Sequence, residues 1–197
     1  MGLSVIIPVY NEENSISDTM KNIIDLLKDI NFELIIVDDM STDKSSERIF
    51  DHYNVVSLKH KINKGYGASI KTGVSVAKYD IIAITDADST YPNEKIISFY
   101  NYLKDNDLDM VIGSRTGKNV NIPLIRRPAK WFIGKLANYV TGINIPDINS
   151  GLRLFKKSSF LKFLSIIPDG FSLTTTITIG MISNGYNLKF IDIDYFK

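Results

Sequence analysis

Two acidic residues, Asp86 and Asp88, stand on either side of one small residue in the stretch "IIAITDADSTYP", residues 81–92. Two carboxylates about 4 Å apart repel each other by roughly 4 kcal/mol at an effective dielectric constant near 20. Turn-forming residues follow them, so both side chains can point the same way from the end of the apolar run. Hard cations such as Mg²⁺ and Mn²⁺ take one or two carboxylates and complete their coordination with water and phosphate oxygens. The pair therefore predicts a site for Mg²⁺ or Mn²⁺; the alternative is a solvated loop in which one acid caps a helix.

The composition of the 197-residue chain limits the other chemistry it can perform. It contains no cysteine and only two histidines, so thiolate sites are excluded and a zinc site is not expected. With 23 basic and 22 acidic residues, the formal net charge of +1 lacks the broad positive field typical of nucleic-acid-binding proteins. We therefore expect no nucleic-acid partner, and any metal should be a hard cation held by oxygen atoms.

Five short apolar runs must position these acids. They begin at residues 3, 33, 54, 80 and 109, and read "LSVIIP", "ELIIVDD", "NVVSL", "DIIAIT" and "DMVIGS". Runs rich in Ile and Val that do not alternate with polar residues are typical of strands buried on both faces.

Helical patterns separate the runs. After the capping residues Asn14 and Ser15, apolar residues at positions 16, 20, 23, 24 and 27 form one stripe. The segments "STDKSSERIF" and "YPNEKIISFYNYL" also begin with residues that favour a helix start, and a further helical pattern begins at residue 172. The alternation predicts an α/β, Rossmann-like fold with a mainly parallel central sheet and helices on both faces.

In open sheets of this kind, ligands bind beyond the carboxyl ends of the strands. Several polar or turn-forming residues directly follow predicted strand ends, namely Pro8, Asp38, Asp39, Asp86, Asp88 and Ser114. The sequence therefore predicts one binding rim that includes the acidic pair.

Five motifs occur in a fixed order over residues 4–115: "SVIIPVYNEENSI", "IIVDDMSTDKS", "NKGYGASIKTGV", "DADSTYP" and "VIGSR". Together they resemble family 2 glycosyltransferases of the GT-A fold. The later segments "IPDINSGLRLFKK" and "PDGFSLTTTIT" are similar to the subgroup that transfers a sugar to a polyprenyl phosphate, as dolichyl-phosphate mannose synthase does. The resemblance extends over nearly the whole chain.

The resemblance implies a nucleotide-sugar donor, either GDP-linked or UDP-linked. The residues it assigns to the donor are Pro8, Tyr10, Glu12, Asp38, Asp39, Lys64, Gly67 and Asp86. Carboxylates can accept hydrogen bonds from base N–H groups and ribose hydroxyls, and Tyr10 can stack on the base. For one of Asp38 and Asp39, the alternative is a helix cap ahead of Ser41. The glycines of "NKGYGASIKTG" allow close backbone approach, but their spacing is not that of a dinucleotide-binding fingerprint.

The same resemblance implies a polyprenyl phosphate acceptor. Residues that would bind its phosphate are Arg115, Arg126, Arg127, Ser150 and Arg153. Guanidinium groups suit phosphate oxygens because they are planar and permanently charged, although a lone arginine is more often solvated. Arg115 is counted with Asp86 and Asp88 among the expected catalytic residues.

The expected reaction moves a hexose, mannose or glucose, with inversion at the anomeric carbon. The cation would neutralise the departing diphosphate. Relatives that act on sugar hydroxyls carry an acidic general base near the position of "TTTIT", where this chain has only threonines. A phosphate monoester, with a second pKa of about 6, is already anionic and needs no such base. The missing acid favours a lipid-phosphate acceptor, and would equally suit an inactive relative.

For the whole chain we predict a single domain over residues 1–197, with a nucleotide-binding half (1–115) and an acceptor-binding half (116–197). No signal peptide or membrane-spanning stretch is recognisable. The segment "RRPAKWFIGKLANYV" predicts a basic amphipathic helix with Phe132, Leu136, Tyr139 and Val140 on one face, which either lies in a membrane interface or packs on its own domain.

We therefore expect the chain at the cytoplasmic face of a membrane, either peripheral or anchored by segments absent from this sequence. The strand-like run at its end leads us to expect a truncated sequence.

Four alternatives remain open at this point. A glycosyltransferase with another acceptor would need its own general base. A sugar-phosphate nucleotidyltransferase would also combine such a sheet with paired acids, but its glycine-rich basic loop after the first strand is missing. A receiver-like signalling module would leave the chain after residue 115 unexplained. A non-catalytic sugar-nucleotide-binding protein would bind the donor without turnover.

Overall fold

The computed structural model describes residues 2–117 and 127–195. Its strands are β1 (Leu3–Val9), β2 (Phe32–Asp38), β3 (Val55–Lys59), β4 (Ile81–Ile84), β5 (Met110–Ser114), β6 (Arg153–Lys156) and β7 (Leu188–Asp192). Its helices are α1 (Ile16–Leu27), α2 (Ser45–Arg48), α3 (Tyr66–Val76), α4 (Lys95–Asp105), α5 (Arg127–Thr141), α6 (Lys157–Leu161) and α7 (Leu173–Ser183).

In the described part of the chain, seven strands form one sheet in the order β3-β2-β1-β4-β6-β5-β7. The pairs β1–β2, β1–β4, β2–β3 and β5–β7 are parallel, which confirms the predicted α/β architecture with a mainly parallel sheet. The exception is β6, which lies antiparallel between β4 and β5. This strand was not predicted, because a four-residue run after a long irregular segment gives little local signal.

Two hydrophobic clusters cover the two faces of the sheet. Along β1, Val5 and Ile7 belong to the cluster that contains α1 and α4, whereas Ile6 belongs to the cluster that contains α3 and α7. All three side chains are fully buried. Successive residues of a strand point to opposite faces, so a strand with helices on both sides must be apolar at every position.

The helices follow the predicted pattern, with differences at their ends. The apolar stripe of α1 is buried as expected, including Ile16, Met20 and Ile23. Helix α2 has only four residues, because Ile49 directly after it adopts an extended conformation. Helix α4 begins at Lys95, so Pro92 lies in the preceding turn instead of the first helical turn.

The chain after residue 115 supplies β6 and β7 to the same sheet that β1–β5 form. The division into a donor half and an acceptor half stays a prediction. Within the described ranges, no helix has the length and apolar character needed to cross a membrane.

Candidate functional site

The turn after β4 holds the acidic pair in a fixed arrangement. The backbone N–H and the hydroxyl of Thr90 both donate to Asp88 Oδ1, at 3.1 and 2.6 Å. Ser89 adopts a positive φ of 58°, which lets the chain reverse directly after Asp88. The turn leaves Asp88 exposed and Asp86 half-buried at the base of the site.

The carboxyl group of Asp86 is only partly compensated in the described structure, by the Arg115 charge and by Tyr66. Its Oδ1 atom is buried and has no hydrogen-bond partner there. Burial, and next the negative charge of Asp88, raise the pKa of Asp86 to about 7. A Cβ atom at Gly151 would lie 3.1 Å from both Asp86 oxygens, so the turn before β6 passes this carboxyl as closely as a glycine allows.

These features fit a divalent cation. An unpaired buried oxygen beside a second carboxylate is an arrangement that a cation would stabilise. The described residues contain no cluster of three or more His, Cys, Asp or Glu side chains that could hold a metal. A cation here would thus be held by Asp86 and Asp88 and would take its remaining ligands from water and a bound phosphate.

A first cavity of about 450 Å³ opens beyond the ends of β1 and β2. Of the predicted donor residues, the structure places Pro8, Tyr10, Glu12, Asp39 and Asp86 in its lining, together with Asp88. Tyr10 is half exposed, so its ring is accessible for stacking. Burial, more than any neighbouring group, raises the pKa of Glu12 above its usual value.

Asp39 is held on the wall of this cavity by three N–H groups. Its Oδ1 accepts from the backbone of Lys64 at 2.8 Å and lies 2.7 Å from His60 Nδ1, and its Oδ2 accepts from the backbone of Gly65 at 2.7 Å. The carboxylate therefore orders the loop that leads into α3.

The structure does not bring Asp38 to the cavity, which corrects its assignment as a donor residue. Its Oδ1 accepts from the backbone N–H of Ser41 at 2.8 Å, and its Oδ2 accepts from the Ser46 hydroxyl and lies 3.3 Å from Lys59 Nζ. Burial by itself would raise the pKa of Asp38, but the hydrogen bonds from Ser41 and Ser46 bring it below its usual value. Asp38 therefore orders the turn after β2, but it does not cap α2, which begins at Ser45 without a hydrogen bond from a capping side chain.

Two further predicted donor residues lie outside the cavity lining. The side chain of Lys64 is exposed, and its backbone contributes the bond to Asp39. Gly67 lies inside α3, where a Cβ atom would overlap the carbonyl oxygen of Pro168. This glycine therefore accommodates the loop at residues 168–170 and not a ligand, which corrects the prediction.

A second cavity of about 510 Å³ shares four lining residues with the first: Tyr66, Asp86, Asp88 and Phe171. Arg115 lines this second cavity, and its guanidinium forms two hydrogen bonds to Asp147, from Nε to Oδ2 at 2.6 Å and from Nη2 to Oδ1 at 3.0 Å. The backbone N–H of Arg115 donates to the same Oδ2 at 3.1 Å. Burial disfavours the charged guanidinium, but the hydrogen bond with Asp147 outweighs it and raises the pKa of Arg115 above its usual value. Arg115 is a fixed cation on the cavity wall.

Asp147 was missed as a functional residue, although it lies in the segment "IPDINSG" on which the resemblance rests. Its acidic side chain is buried and sets the direction of the Arg115 guanidinium. An acid in that segment, with an arginine predicted at a strand end, was the available signal.

Arg153 is not a phosphate ligand in this structure, which corrects a further prediction. Its side chain is fully buried and lines neither cavity. It donates to the carbonyl oxygens of Ser150 and Thr174, at 3.1 and 3.3 Å, and to the hydroxyl of Thr178 at 3.2 Å. Arg153 thus ties the turn before β6 to α7.

The remaining predicted acceptor residues are only partly described. Ser150 is buried outside the cavity lining, and its hydroxyl has no hydrogen-bond partner within the described ranges. Arg126 and the side chain of Arg127, the first residue of α5, lie outside the described part of the chain.

Aromatic residues that were not predicted form the boundary between the cavities. The rings of Tyr66 and Phe171 stack with their centroids 5.4 Å apart, and both residues line both cavities. Tyr91 lines the second cavity and accepts a hydrogen bond from the Gly151 N–H at 2.7 Å. All three lie in or next to the recognised motifs, but an aromatic residue in a motif is as readily a core residue.

The geometry and the family comparison agree. The family model described as glycosyl transferase family 2 matches residues 4–164. The chain therefore belongs to glycosyl transferase family 2, and its sheet with the acidic pair at the end of β4 is the GT-A fold.

Curated relatives include an uncharacterized protein of Methanocaldococcus jannaschii, 31% identical over 96% of this chain and 79% of its own length. The dolichol-phosphate mannosyltransferase of Pyrococcus furiosus is 31% identical over 91% of this chain. This chain spans 53% of that enzyme's length. The UDP-N-acetylglucosamine–dolichyl-phosphate N-acetylglucosaminyltransferase of Methanococcus voltae is 33% identical over 82% of this chain and 71% of its own length.

Among solved structures, glucosyl-3-phosphoglycerate synthase of Mycobacterium tuberculosis, in complex with Mn²⁺, UDP and phosphoglyceric acid, superposes with a TM-score of 0.72. The two proteins are 15% identical, and the match covers 97% of this chain and 68% of the other. At this identity the likeness establishes the fold alone. Membership of the family leaves the receiver-like module and the nucleotidyltransferase without support.

Proposed function

We propose that this protein is an inverting glycosyltransferase that moves a hexose, mannose or glucose, from a nucleotide sugar to a polyprenyl phosphate, with Mg²⁺ or Mn²⁺ bound by Asp86 and Asp88. The observation that carries the proposal is the meeting of two cavities at these two carboxylates. A reaction between two substrates needs two adjacent binding spaces and a group that neutralises charge where they meet.

The first cavity suits the nucleotide part of the donor. It combines a half-exposed aromatic ring, Tyr10, with the carboxylates of Glu12 and Asp39. A base can stack on such a ring, and N–H and hydroxyl groups can donate to the acids. Asp86 and Asp88 would hold the cation that supplies charge neutralisation to the leaving diphosphate when it is bound.

The second cavity suits an anionic acceptor. Arg115, held in place by Asp147, presents a permanent positive charge on its wall. Asp86 and Asp88 are the only acids among the described residues of this lining, and they are assigned to the cation. The side chains where a base would be expected are Thr174 and Thr175. A phosphate monoester attacks without a general base, since it is already ionised at neutral pH.

The names of two relatives support the same acceptor class. Both the Pyrococcus and the Methanococcus enzymes are named for dolichyl phosphate, whereas they differ in the sugar. A polyprenyl chain stays in the bilayer, so we propose that the protein acts at a membrane surface, on its cytoplasmic face. Leu136, Tyr139 and Val140 of α5 are exposed as an apolar face suited to that surface.

The test of the cation site is the thermal stability of the protein with UDP or GDP and Mn²⁺. At a ligand concentration one hundred times its dissociation constant, binding stabilises the folded state by about 2.7 kcal/mol. We expect a corresponding rise in melting temperature for the wild type and none for Asp88→Asn. An equal rise in both proteins would show that the nucleotide binds without this carboxylate.

Turnover is tested separately, with a radiolabelled nucleotide sugar and a short polyprenyl phosphate in detergent. We expect label to enter the lipid fraction only with the divalent cation present, and Arg115→Met to reduce this transfer while leaving nucleotide binding intact. Nucleotide binding without transfer to any acceptor would favour the non-catalytic sugar-nucleotide-binding protein.

A further inference from the structure

The hydrogen bonds of Asp39 bear on which nucleotide the protein accepts, a question that rests on the proposed function and goes beyond it. Asp39 is the carboxylate on the wall of the first cavity that comes from the end of β2. It is nearly fully buried, with 4% of its surface exposed. Any base that reaches it must therefore use whatever acceptor positions its protein partners leave open.

Three of its acceptor positions are filled. An ionised carboxylate has about four lone-pair sites, two on each oxygen. Oδ1 accepts from the Lys64 backbone N–H at 2.8 Å and from His60 Nδ1 at 2.7 Å, so both of its sites are used. Oδ2 accepts from the Gly65 backbone N–H at 2.7 Å. Within residues 2–117 and 127–195 these are the bonds that Asp39 accepts, so one site remains, on Oδ2.

The partners of His60 fix the direction of its bond to Asp39. A carboxylate can only accept, so His60 Nδ1 is the donor. The other ring nitrogen, Nε2, lies 3.0 Å from the Thr72 hydroxyl, which can donate or accept. His60 is 7% exposed and bonded at both ring nitrogens, which holds its ring against Asp39 Oδ1.

Guanine and uracil each have a ring N–H group that can donate to Asp39, but they differ in the group next to it. Guanine presents two adjacent donors, N1–H and N2–H, which match a carboxylate with one free site on each oxygen. Uracil presents one donor, N3–H, between two carbonyl oxygens. The second guanine donor would face Oδ1, whose acceptor sites are already filled by N–H groups, and would stay unpaired. Uracil has a carbonyl oxygen at that position, so it leaves no donor unpaired.

We infer that His60 is the positioning residue that makes Asp39 selective for uracil over guanine, and that of the two expected donor classes, UDP-linked and GDP-linked, this protein uses the UDP-linked sugar. The role of His60 is to occupy the second site of Oδ1 by donating from Nδ1. Discrimination of this kind arises because a donor left unpaired in a buried site loses its hydrogen bond to water.

The experiment is a calorimetric titration of the full chain with UDP, GDP, ADP and CDP in the presence of Mn²⁺, which measures the dissociation constant of each nucleotide. We expect UDP to bind at least about tenfold more tightly than GDP. GDP, ADP or CDP binding as tightly as UDP would overturn the assignment of the donor. Failure of all four nucleotides to bind would overturn the proposed function and this inference with it.

Variants of His60 test the positioning role. His60→Leu removes the donor and opens Oδ1, so we expect the UDP-to-GDP affinity ratio to fall several-fold, toward about unity. His60→Asn keeps an N–H group at the position of Nδ1 and should retain the ratio. His52→Leu, at the chain's other histidine, is the matched control and should leave the ratio unchanged, because the ring of His52 accepts from the Asn54 N–H and not from a neighbour of Asp39.

A ratio in His60→Leu equal to that of the wild type would overturn the role of His60. If His60→Leu does not fold, the wild-type ratio still decides the assignment of the donor, and a ratio lost in His60→Asn would contradict the role of the donated N–H group. A merely structural histidine would weaken UDP and GDP binding equally in both His60 variants, which is the outcome that contradicts selective positioning.

Discussion

At the scale of single residues, the site keeps an acid where the fold by itself would favour a neutral group. Asp86 has a buried oxygen without a hydrogen-bond partner in the described structure, and its pKa is raised to about 7 by burial and by Asp88. Residues kept for function at a cost in stability are common at active sites. Asp86 is therefore a place where stability and activity should change in opposite directions.

We predict that Asp86→Asn stabilises the metal-free protein and abolishes transfer. The amide carries no charge, so both the burial of a carboxylate and its repulsion from Asp88 are removed, with a gain on the order of 1 kcal/mol. Urea denaturation at pH 8 with EDTA measures the free energy of unfolding, and Asp88→Asn, at an exposed position, is the matched control with a smaller gain. A less stable Asp86→Asn would contradict the account.

Asp38 shows the opposite behaviour, because its pKa lies below its usual value owing to the hydrogen bonds from Ser41 and Ser46. A depressed pKa in the folded state stabilises the protein above the unfolded-state pKa of about 3.9, and this stability is lost as the pH falls through the folded-state pKa. We predict that Asp38→Asn costs about 1–2 kcal/mol at pH 7, because hydrogen bonds to a buried carboxylate are replaced by weaker bonds to a neutral amide.

The pH dependence of that cost is the diagnostic. Chemical denaturation of wild type and Asp38→Asn at pH 7, 5 and 3.5 should give a difference that is constant down to about pH 5 and shrinks below it. A difference that stays the same at pH 3.5 would mean that the charge of Asp38 does not contribute. Nucleotide binding should survive in Asp38→Asn, since this side chain does not line the cavity.

At the scale of elements, α3 and the loop at residues 168–170 position the site together. The N–H of Ala68 donates to the carbonyl oxygen of Asp169 at 3.0 Å, and a Cβ atom at Gly65 would lie 2.7 Å from the same oxygen. Gly65 also has a positive φ of 97°, which a side chain would strain. This contact brings Phe171 against Tyr66, where the two cavities meet.

We predict that Gly67→Ala destabilises the protein by about 1–3 kcal/mol, because the added methyl group would overlap the Pro168 carbonyl and force the loop away. Gly134→Ala in α5 is the matched control, since a Cβ atom there would meet no described atom within 4 Å. Alanine favours a helix over glycine by roughly 0.5–1 kcal/mol, so the control should be slightly more stable than wild type. Thermal denaturation of the two variants decides; equal stability of both would contradict the contact.

At the scale of the whole molecule, the reaction we propose needs a water-soluble donor and a lipid acceptor on one protein. The sheet places both cavities at the carboxyl ends of its strands, and α5 presents Leu136, Tyr139 and Val140 to solvent. Ala137, on the other side of this helix, packs with Ile145 and Ile148 in a small separate cluster. The sequence left open whether α5 lies in a membrane interface or packs on its own domain. One side of the helix is packed and the other is exposed, so the structure is compatible with both interpretations.

We predict that Tyr139→Asp weakens binding to vesicles of anionic lipid by about tenfold, because an exposed aromatic ring that enters the bilayer interface is replaced by a charge. Tyr53→Asp is the matched control, since Tyr53 is 88% exposed and Tyr139 is 87% exposed. Flotation of the protein with vesicles gives the bound fraction. Equal loss in the two variants would show that α5 is not the membrane-facing element.

The sequence by itself determined the features of the fold and site that depend on residues close together in the chain. Buried parallel strands have a continuous apolar pattern, and the acids that follow them must emerge at the same edge, so the sheet and the positions of Asp86 and Asp88 could be predicted. The motif order over the chain identified the family for the same reason, because it records which residues follow which strands.

Only the tertiary structure decided which side chains reach the cavities. Asp38 and Asp39 are adjacent in sequence, yet Asp38 accepts hydrogen bonds from Ser41 and Ser46, whereas Asp39 lines the first cavity. An arginine is usually exposed and suited to binding a phosphate. The antiparallel insertion of β6 between β4 and β5 instead buries Arg153 against α7. Such outcomes depend on strand register and on contacts between residues far apart in the chain, which no local pattern encodes.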